Sequence, residues 1–241
     1  MRFLLIPAVL LAAAGPVGAQ VLGITPDHVY LDNIKSVKCA PATSAISLPV
    51  VTLNGSDRVQ LSFDDLDADV KNYYYTLVLC NAHWKPAAVN PFDYIHGFLE
   101  NRIDDYHYST QPLQHYTHYS LTLPNQNCEP TRSGNYLVKV YLDGDTSQLA
   151  FTRRLLVVNN KAIIKGTIQQ PVNPKIFHSD QKVNFSVSLQ GVNVTNPFSQ
   201  VKVYILQNGR WDNDIHGIMP TFIKGDELEY NTTNDCVFPA S

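Results

Sequence analysis

The sequence predicts an all-β protein made of two tandem β-sandwich domains, the second of them incomplete. Two observations support this fold class. Apolar residues alternate with polar ones in several short runs, which is typical of strands with one buried face and one wet face. Residues rich in Asp, Asn, Gly and Pro bound these runs at short, even spacing, as turns do in sandwiches and barrels. No segment after the N-terminal region shows helical periodicity over three turns.

The N-terminal residues 1–19 have the three parts of a secretory signal peptide. Arg2 is the basic residue, residues 3–14 are apolar except for Pro7, and Val17-Gly18-Ala19 supplies small residues before a cleavage site. The apolar stretch is too short to span a bilayer. We therefore expect cleavage after Ala19 and export of the mature chain.

The strands can be placed in order along the chain. The alternation is clearest in residues 59–63, 119–123 and 183–189. Asn208-Gly209, just after the strand-like run 201–206, is a hairpin-turn signal. We predict one short helix, within residues 87–100. The remaining strand-like runs are residues 73–79, 135–142, 151–158 and 201–206.

The strand spacing divides the chain into two units. About seven strands between residues 30 and 158 match one immunoglobulin-like sandwich. Asn159-Asn160-Lys161 is the expected joint, so we predict a first domain over residues 20–160 and a second over residues 161–241. The second stretch is short for a closed sandwich. Tyr136, at the start of the run 135–142, is expected to form a tyrosine corner, in which its hydroxyl bonds back to the backbone.

Composition excludes several classes of protein. The chain has 241 residues, of which 16% are charged and 10% aromatic, which argues against disorder. A formal net charge of −3 argues against a protein built to hold nucleic acid or an anionic membrane. Export would permit disulfides, and three full pairings of the four cysteines are possible. Sequence does not choose among the pairings of Cys39, Cys80, Cys128 and Cys236.

Signals for catalysis and metal binding are weak. The acidic run of residues 64–69 suits calcium but lacks a turn glycine and a bidentate glutamate, so a polar turn is favoured. His115 and His118 would point to opposite faces of a strand, which disfavours a zinc site. Cys80 and His83 could form a nucleophile and base, but a strand end followed by the anchor Trp84 is the simpler interpretation. We therefore predict no enzyme activity, no metal and no cofactor.

Aromatic residues and histidines are concentrated in the middle of the chain. Ten of the 13 tyrosines lie in residues 73–141, and five of the eight histidines in residues 83–118. Aromatic rings with polar tips suit binding surfaces that are partly apolar and partly wet, but they also pack in cores. Both interpretations stay open at this point.

Several short motifs, taken in chain order, resemble the N-terminal region of the type IX secretion system plug proteins. The resemblance runs from about residue 25 to the end of the chain. The motifs are Tyr73-Tyr74-Tyr75-Thr76-Leu77, Cys80-Asn81-Ala82-His83-Trp84, Phe92-Asp93-Tyr94-Ile95-His96-Gly97-Phe98, Ile103-Asp104-Asp105-Tyr106-His107-Tyr108-Ser109, Tyr116-Thr117-His118-Tyr119, Leu123-Pro124-Asn125, Ser133-Gly134-Asn135-Tyr136 and Thr152-Arg153-Arg154.

The resemblance implies a non-enzymatic protein of the periplasm, associated with the outer membrane. Its implied partner is the large outer-membrane β-barrel translocon of this system, whose periplasmic opening it would bind and seal. Nucleic acid and direct membrane insertion are not implied. The motif residues that we expect to serve in an interface or in the structure are Cys80, Trp84, Tyr94, Gly97, Tyr106, Tyr108, Tyr116, His118, Tyr119, Gly134, Tyr136, Arg153 and Arg154.

Two further expectations belong to this interpretation. Family members continue beyond the position of Ser241, so the second sandwich is expected to be cut in mid-strand, with an unpaired edge and an exposed apolar face on its final strands. Arg153-Arg154 could pair with carboxylates of the barrel, although alternation should point only one of them outward. The alternative function is a secreted carbohydrate-binding or adhesion module that uses Trp84 and exposed tyrosines.

Overall fold

A computed structural model describes residues 24–44, 46–110, 113–232 and 235–239 of the chain. The predicted signal peptide lies outside these residues. The described part is almost entirely β-structure, as the alternating pattern predicts. The strands of the first unit are β1 (Ile34–Pro41), β2 (Val50–Thr52), β3 (Val59–Asp65), β4 (Tyr73–Cys80), β5 (Ile95–Gly97), β6 (Asn101–Arg102), β7 (Asp105–Tyr108), β8 (Thr117–Leu123), β9 (Cys128–Pro130), β10 (Gly134–Leu142) and β11 (Leu149–Val158).

Two sheets of the first unit pack face to face. One has the strand order β1-β3-β8-β7, and the other has the order β2-β11-β10-β4-β6. All of these pairs are antiparallel except β2 with β11, which is parallel. When the short strands β2 and β6 are set aside, four strands face three, as in an immunoglobulin-like sandwich. Strands β1, β3, β8 and β7 then correspond to A, B, E and D, and strands β4, β10 and β11 correspond to C, F and G. A separate short pair, β5 with β9, closes one end.

Aromatic rings from both sheets form the centre of the first sandwich. Phe63 of β3 lies 5.0 Å from Tyr73 of β4 and 4.9 Å from Phe151 of β11, measured between ring centroids. It also stacks on Tyr119 of the neighbouring strand at 5.0 Å. All four side chains are fully buried. This close packing of rings explains why so many tyrosines fall in the middle of the sequence.

The predicted tyrosine corner is present. Tyr136 lies near the start of β10, the sixth strand of the immunoglobulin order, and is fully buried. Its hydroxyl donates to the carbonyl oxygen of Arg132 at 2.8 Å, four residues upstream. The bond ties the turn before β10 to the strand.

The second unit is built on a single sheet. Its strands run in the order β12-β13-β17-β16, with β18 also pairing with β13. A one-turn helix, α1 (Pro197–Gln200), precedes a small hairpin. The strands are β12 (Ile163–Gln169), β13 (Asp180–Ser188), β14 (Tyr204–Ile205), β15 (Ile215–His216), β16 (Phe222–Lys224), β17 (Glu227–Tyr230) and β18 (Val237–Pro239).

Two sequence predictions of local structure are corrected. The helix predicted within residues 87–100 is absent, and that stretch holds a 3-10 turn, Pro91–Asp93, followed by β5. Asn90 caps the turn but Phe92 is exposed, so the segment lacks the buried stripe that stabilises a longer helix. The strand predicted over residues 201–206 shrinks to β14, although Asn208 and Gly209 do turn the chain with positive φ.

The exposed apolar edge of this second sheet lies on its first strand. All seven residues of β12 are exposed. The sequence analysis placed the unpaired edge on the final strands, and in the described residues β16 and β18 also pair on one side only, with β17 and β13. In β18, by contrast, Phe238 is buried against the sheet. Within the described residues, no helix has the length and apolar character needed to cross a membrane.

Candidate interaction surface

One edge of the first sandwich presents aromatic side chains to solvent. Strand β7 pairs only with β8 in the described residues, so its other side carries free backbone groups. Tyr106 and Tyr108 are 40% and 61% exposed, and their rings meet edge to face at 6.1 Å. Leu113, in the loop between β7 and β8, is fully exposed. We call Tyr106, His107, Tyr108 and Leu113 the aromatic edge.

A row of polar side chains crosses the outer face of the sheet beside the aromatic edge. The strand register sets Asp64 of β3 opposite His118 of β8, and His118 opposite His107 of β7. The Nδ1 atom of His118 lies 2.6 Å from Oδ1 of Asp64, and the two imidazole rings are 5.2 Å apart. The carboxylate therefore fixes the ring of His118. The row lies on the opposite face of the sheet from the rings of Tyr106 and Tyr108, because those two tyrosines pair with the buried Tyr119 and Thr117. His115 lies in the preceding loop.

The acidic run beneath this surface is held by a lysine of the chain itself. The ammonium group of Lys71 lies 2.9 Å from a carboxylate oxygen of Asp65 and 3.5 Å from one of Asp69, and it also contacts Asp67. Burial by itself would lower the pKa of Lys71, but its bonds to Asp67 and Asp65 outweigh burial and raise that pKa.. Lys71 thus supplies the positive charge that a cation would otherwise bring, and the run serves as a polar turn.

Asp65 is the central residue of this turn. Its side chain is fully buried and accepts hydrogen bonds from Asn33 at 2.6 Å and from the Tyr73 hydroxyl at 2.9 Å, besides that from Lys71. Burial tends to raise the pKa of Asp65, but these donors and the backbone N–H of Asp67 hold it below its ordinary value. These hydrogen bonds anchor the turn after β3 to Tyr73 of the aromatic core.

Arg154 lies at the contact between the two units. Its guanidinium group is 4.8 Å from the ring of Trp84 and 4.5 Å from the ring of Trp211 of the second unit, and it forms an ion pair with Asp27. The Tyr204 hydroxyl adds a bond of 2.6 Å to the carbonyl oxygen of Ala82. We call Trp84, Arg154 and Trp211 the arginine clamp. It joins the outer face of the five-stranded sheet to the second unit.

The two neighbouring arginines both have partners within the chain. Arg153 is partly buried beside Phe151, donates to the carbonyl oxygens of Thr152 and Val37, and has a pKa lowered by burial. Arg154 is largely enclosed in the clamp. The idea that this pair meets carboxylates of a partner is therefore corrected. Alternation does point the two side chains to opposite faces, but both bind inside the chain.

Several predicted site residues are structural. Tyr94 and Tyr119 are buried, and Tyr116 connects its strand to the preceding loop through its backbone bond with Ser109. Gly97 has φ +102°, and a Cβ there would lie 2.3 Å from the carbonyl oxygen of Asn127, so only glycine fits. Gly134 begins β10, where a Cβ would approach Leu79. Of the predicted residues, the structure brings together Tyr106 and Tyr108 at the surface, and His118 lies on the other face of the same sheet.

The cysteine chemistry weighed from the sequence has no support in the geometry. Burial raises the pKa of the Cys80 thiol to about 11, so it is protonated near neutral pH and a poor nucleophile. His83 has its Nδ1 atom 3.2 Å from the hydroxyl of Tyr204. All four cysteines are free thiols. In the described residues no three His, Cys, Asp or Glu side chains cluster as a metal site would require.

The alternative of sugar binding loses its main residue. Trp84 is only 7% exposed, because Arg154 and Trp211 cover it, so it presents no ring face to a ligand. Sequence reasoning missed Trp211 as the partner of Trp84, and it missed Asp27 as the partner of Arg154. The available signal was that the chain has only two tryptophans, one in each unit, but nothing in the sequence places them together.

Comparison with known proteins agrees with the geometry of the first unit. The chain resembles a crystal structure, at 2.30 Å resolution, of a hypothetical protein from Parabacteroides merdae, with a TM-score of 0.83 and 29% identity over 92% of this chain. The chain spans 55% of the length of that protein. No curated protein matches. Residues 34–159, which include the aromatic edge, match the family model of the type 9 secretion system plug protein first domain. Because this match spans more than half of the chain, the chain belongs to the type 9 secretion system plug protein family.

Proposed function

We propose that this protein is a non-enzymatic plug of the periplasm, which binds the large outer-membrane barrel of the type 9 secretion system and seals its periplasmic opening. The family match over residues 34–159 carries the proposal. Membership implies association with this secretion system and a location at the periplasm or outer membrane. The family and the all-β fold both favour a non-enzyme. Export through the N-terminal signal peptide, cleaved after Ala19, is part of the proposal.

The aromatic edge is the surface that we assign to the barrel. Its exposed rings supply apolar contact area at a small cost in side-chain entropy, since a tyrosine has few rotatable bonds. The free side of β7 adds backbone donors and acceptors for a polar partner. The row of Asp64, His118 and His107 lies on the other face of the same sheet edge. A reversible seal requires such a mixed surface, because a purely apolar face of this size would bind too permanently or aggregate.

The test is recovery of the barrel by a tagged chain from native outer membranes. We expect a very large outer-membrane β-barrel to co-purify with the tagged chain. A variant with Tyr106→Ala and Tyr108→Ala should recover at least tenfold less, which corresponds to about 1.4 kcal/mol of lost binding free energy. Phe222→Ala is the matched control, because Phe222 is 58% exposed on the second sheet and lies outside the proposed surface.

Sealing is a separate readout from binding. The purified barrel in a planar bilayer should lose conductance when the protein is added from the periplasmic side, and the tyrosine double variant should block less at the same concentration. A chain that recovers no barrel from its native membranes would remove the main support for the proposal. Recovery of a barrel that stays fully conducting would leave a binding protein that does not seal.

A further inference from the structure

Strand β7 is the outer strand of the four-stranded sheet, and its backbone groups alternate in direction. The N–H of Ser109, just after β7, donates to the carbonyl oxygen of Tyr116 at 3.0 Å, and the register of β7 with β8 is regular. A regular antiparallel ladder then directs the N–H and C=O of His107 toward β8, and those of Tyr106 and Tyr108 away from it. The described residues supply no strand on that outer side. Tyr106 and Tyr108 therefore present two N–H and two C=O groups in strand geometry.

A row of aromatic rings runs across the inner face of this sheet and ends at the same strand. The register sets Phe63 of β3 opposite Tyr119 of β8, and Tyr119 opposite Tyr106 of β7. The ring centroids are 5.0 Å apart in the first pair and 5.8 Å apart in the second. Phe63 and Tyr119 are fully buried, whereas Tyr106 is partly exposed. A further strand beside β7 would continue this row with a side chain that packs on Tyr106.

The opposite face of β7 is polar and acidic. Asp105 lies opposite Ser120, and its carboxylate accepts a hydrogen bond from that hydroxyl. His107 follows on the same face. Asp104, just before the strand, has an exposed carboxylate that lies 3.2 Å from the guanidinium group of Arg102. A strand beside β7 would meet the carboxylate of Asp105 on this face, which favours a basic side chain there.

These features together specify an extended ligand. When a strand is added to a sheet edge, main-chain hydrogen bonds supply affinity and alternate side chains supply specificity. A helix or a flat apolar surface could cover the rings of Tyr106 and Tyr108, but it would bury their outward backbone groups without partners, which costs free energy. Many natural edge strands carry lysine or proline, which block pairing with another chain. Strand β7 has neither.

We propose that an extended segment of the outer-membrane barrel pairs with the outer side of β7 and becomes the fifth strand of this sheet. The segment carries an aromatic or branched apolar residue beside Tyr106 on the inner face, and a basic residue beside Asp105 on the outer face. This inference rests on the proposed plug function, because the barrel is the partner in both. It specifies how the barrel binds, through main-chain hydrogen bonds in addition to contacts with the rings.

The first experiment measures amide hydrogen exchange, residue by residue, in the chain alone and in the chain bound to the purified barrel. We expect the amides of Tyr106 and Tyr108 to exchange at least about tenfold more slowly in the complex, because each N–H gains a carbonyl acceptor. The amide of His107 faces β8 already and should change less. Strand β12 is the internal control, since it is also an exposed edge in the described residues, and its exchange should be the same in both samples.

The outcomes of this experiment separate the inference from the plug function. If the barrel binds but the amides of Tyr106 and Tyr108 exchange as in the free chain, strand addition is wrong and the plug function stands. If the amides of β12 are protected instead, the barrel pairs with the second unit, and strand addition to β7 is wrong. If the free chain forms a dimer that already protects Tyr106 and Tyr108, a second copy occupies the edge. If no barrel binds, both proposals fail.

The second experiment separates the backbone donor from the ring at one position. Tyr108→Ala and Tyr108→Pro both delete the ring, but only the proline also removes the outward N–H. When tagged chains are used to recover the barrel from native outer membranes, the proline variant should recover about fivefold less than the alanine variant, because a main-chain hydrogen bond is lost. Equal recovery by the two variants would overturn main-chain pairing at β7.

Thermal unfolding of the same variants checks the direction of the N–H groups. Proline is tolerated on an edge strand where the N–H faces outward, so the unfolding midpoint of Tyr108→Pro should lie within about 3 °C of that of Tyr108→Ala. His107→Pro removes a bond inside the sheet and should lower the midpoint by roughly 5–10 °C. If Tyr108→Pro lowers the midpoint as much as His107→Pro, the N–H of Tyr108 faces β8 and the proposal fails.

The third experiment tests the basic residue assigned to the partner strand. Asp105→Asn keeps an oxygen acceptor for the Ser120 hydroxyl but removes the charge. It should recover about threefold less barrel than the parent chain in low salt and an equal amount in about 0.5 M salt, where exposed charges are screened. Asp226→Asn is the matched control, because Asp226 is exposed on the second unit. Equal recovery by Asp105→Asn and the parent in low salt would overturn the assignment of a basic residue.

Discussion

The two units of this chain use the same alternating strands but bury them to different degrees. In the first unit, two sheets enclose Phe63, Tyr73, Tyr119 and Phe151 on all sides. In the second unit, one sheet is covered on the β17 side alone, and its first strand is bare. Alternation therefore specifies which face of a strand is apolar, whereas the supply of a second layer decides whether that face is buried.

The largest expected difference between the units is in the cost of deleting an aromatic ring. Phe63→Ala should lower the free energy of unfolding by about 3–5 kcal/mol, because it leaves a cavity between two rigid sheets. Phe185→Ala should cost about 1 kcal/mol, since Phe185 is partly exposed and mainly stacks on Tyr230 at 4.5 Å. Urea unfolding of both variants measures the difference. Equal costs would mean that the second sheet is as well packed as the first.

The buried turn carboxylate should give the first unit a dependence on pH that the second lacks. Asp65→Asn should cost about 2–3 kcal/mol at pH 7, because several donors, one of them charged, lose their charged acceptor. The pKa of Asp65 is lower in the folded protein than its ordinary value of 3.8. The contribution of Asp65 to the free energy of unfolding is therefore complete above pH 3.8, and it is lost as the pH falls through the pKa of the folded protein.

Urea unfolding between pH 7 and pH 2 measures this contribution. The parent protein should lose stability below pH 3.8, and Asp65→Asn should lose less of it over the same range. Asp67→Asn is the control, because Asp67 is exposed and its ion pair contributes about 0–1 kcal/mol. If the stability of Asp65→Asn falls with pH as steeply as that of the parent, Asp65 does not cause the loss of stability in acid.

The arginine clamp tests how far the two units depend on one another. Arg154→Ala should cost about 2 kcal/mol, since a partly desolvated cation between two rings and an ion pair are lost together. Because Trp84 and Trp211 are the only tryptophans, their fluorescence reports this contact directly, and it should shift to longer wavelength in the variant. Arg102→Ala, at an exposed ion pair with Asp104, is the control. An unchanged emission spectrum would show that the clamp does not hold the rings together.

The smallest expected effect concerns the tyrosine corner. Tyr136→Phe should cost about 1 kcal/mol, because it removes the hydrogen bond to the carbonyl oxygen of Arg132 from a buried site. Tyr74→Phe on the same sheet should be close to neutral. Chemical denaturation measures both. If the two variants are equally stable, the corner does not contribute to the first unit.

Local patterns in the sequence predicted much of the fold correctly. The period of two located β3, β8 and β13, because a half-buried strand requires that alternation. Apolar runs bounded by turn residues located β4, β10 and β11. The helix within residues 87–100 was wrong, since helical propensity without a buried stripe does not hold a helix there. The strand over residues 201–206 was shortened, because most of that segment serves as cover for the second sheet.

The candidate surface was less predictable than the fold. Tyr106, Tyr108, Tyr119 and Tyr136 look alike in the sequence, yet the first two are exposed and the last two are buried. Their fate depends on whether the opposing sheet reaches over them, and it does not reach over the edge strand β7. Trp84, which the carbohydrate-binding alternative requires to be exposed, lies under the clamp because Trp211 of the second unit covers it.

The sequence by itself determined the all-β class, the alternating faces and the family motifs, because each depends on residues close together along the chain. Only the tertiary structure decided which tyrosines stay exposed, which carboxylate Arg154 binds and which strand of the second sheet lies bare. Asp27 and Arg154 are 127 residues apart, and Trp84 meets Trp211 from the other unit. Contacts of that range follow from how layers pack, and local periodicity carries no information about them.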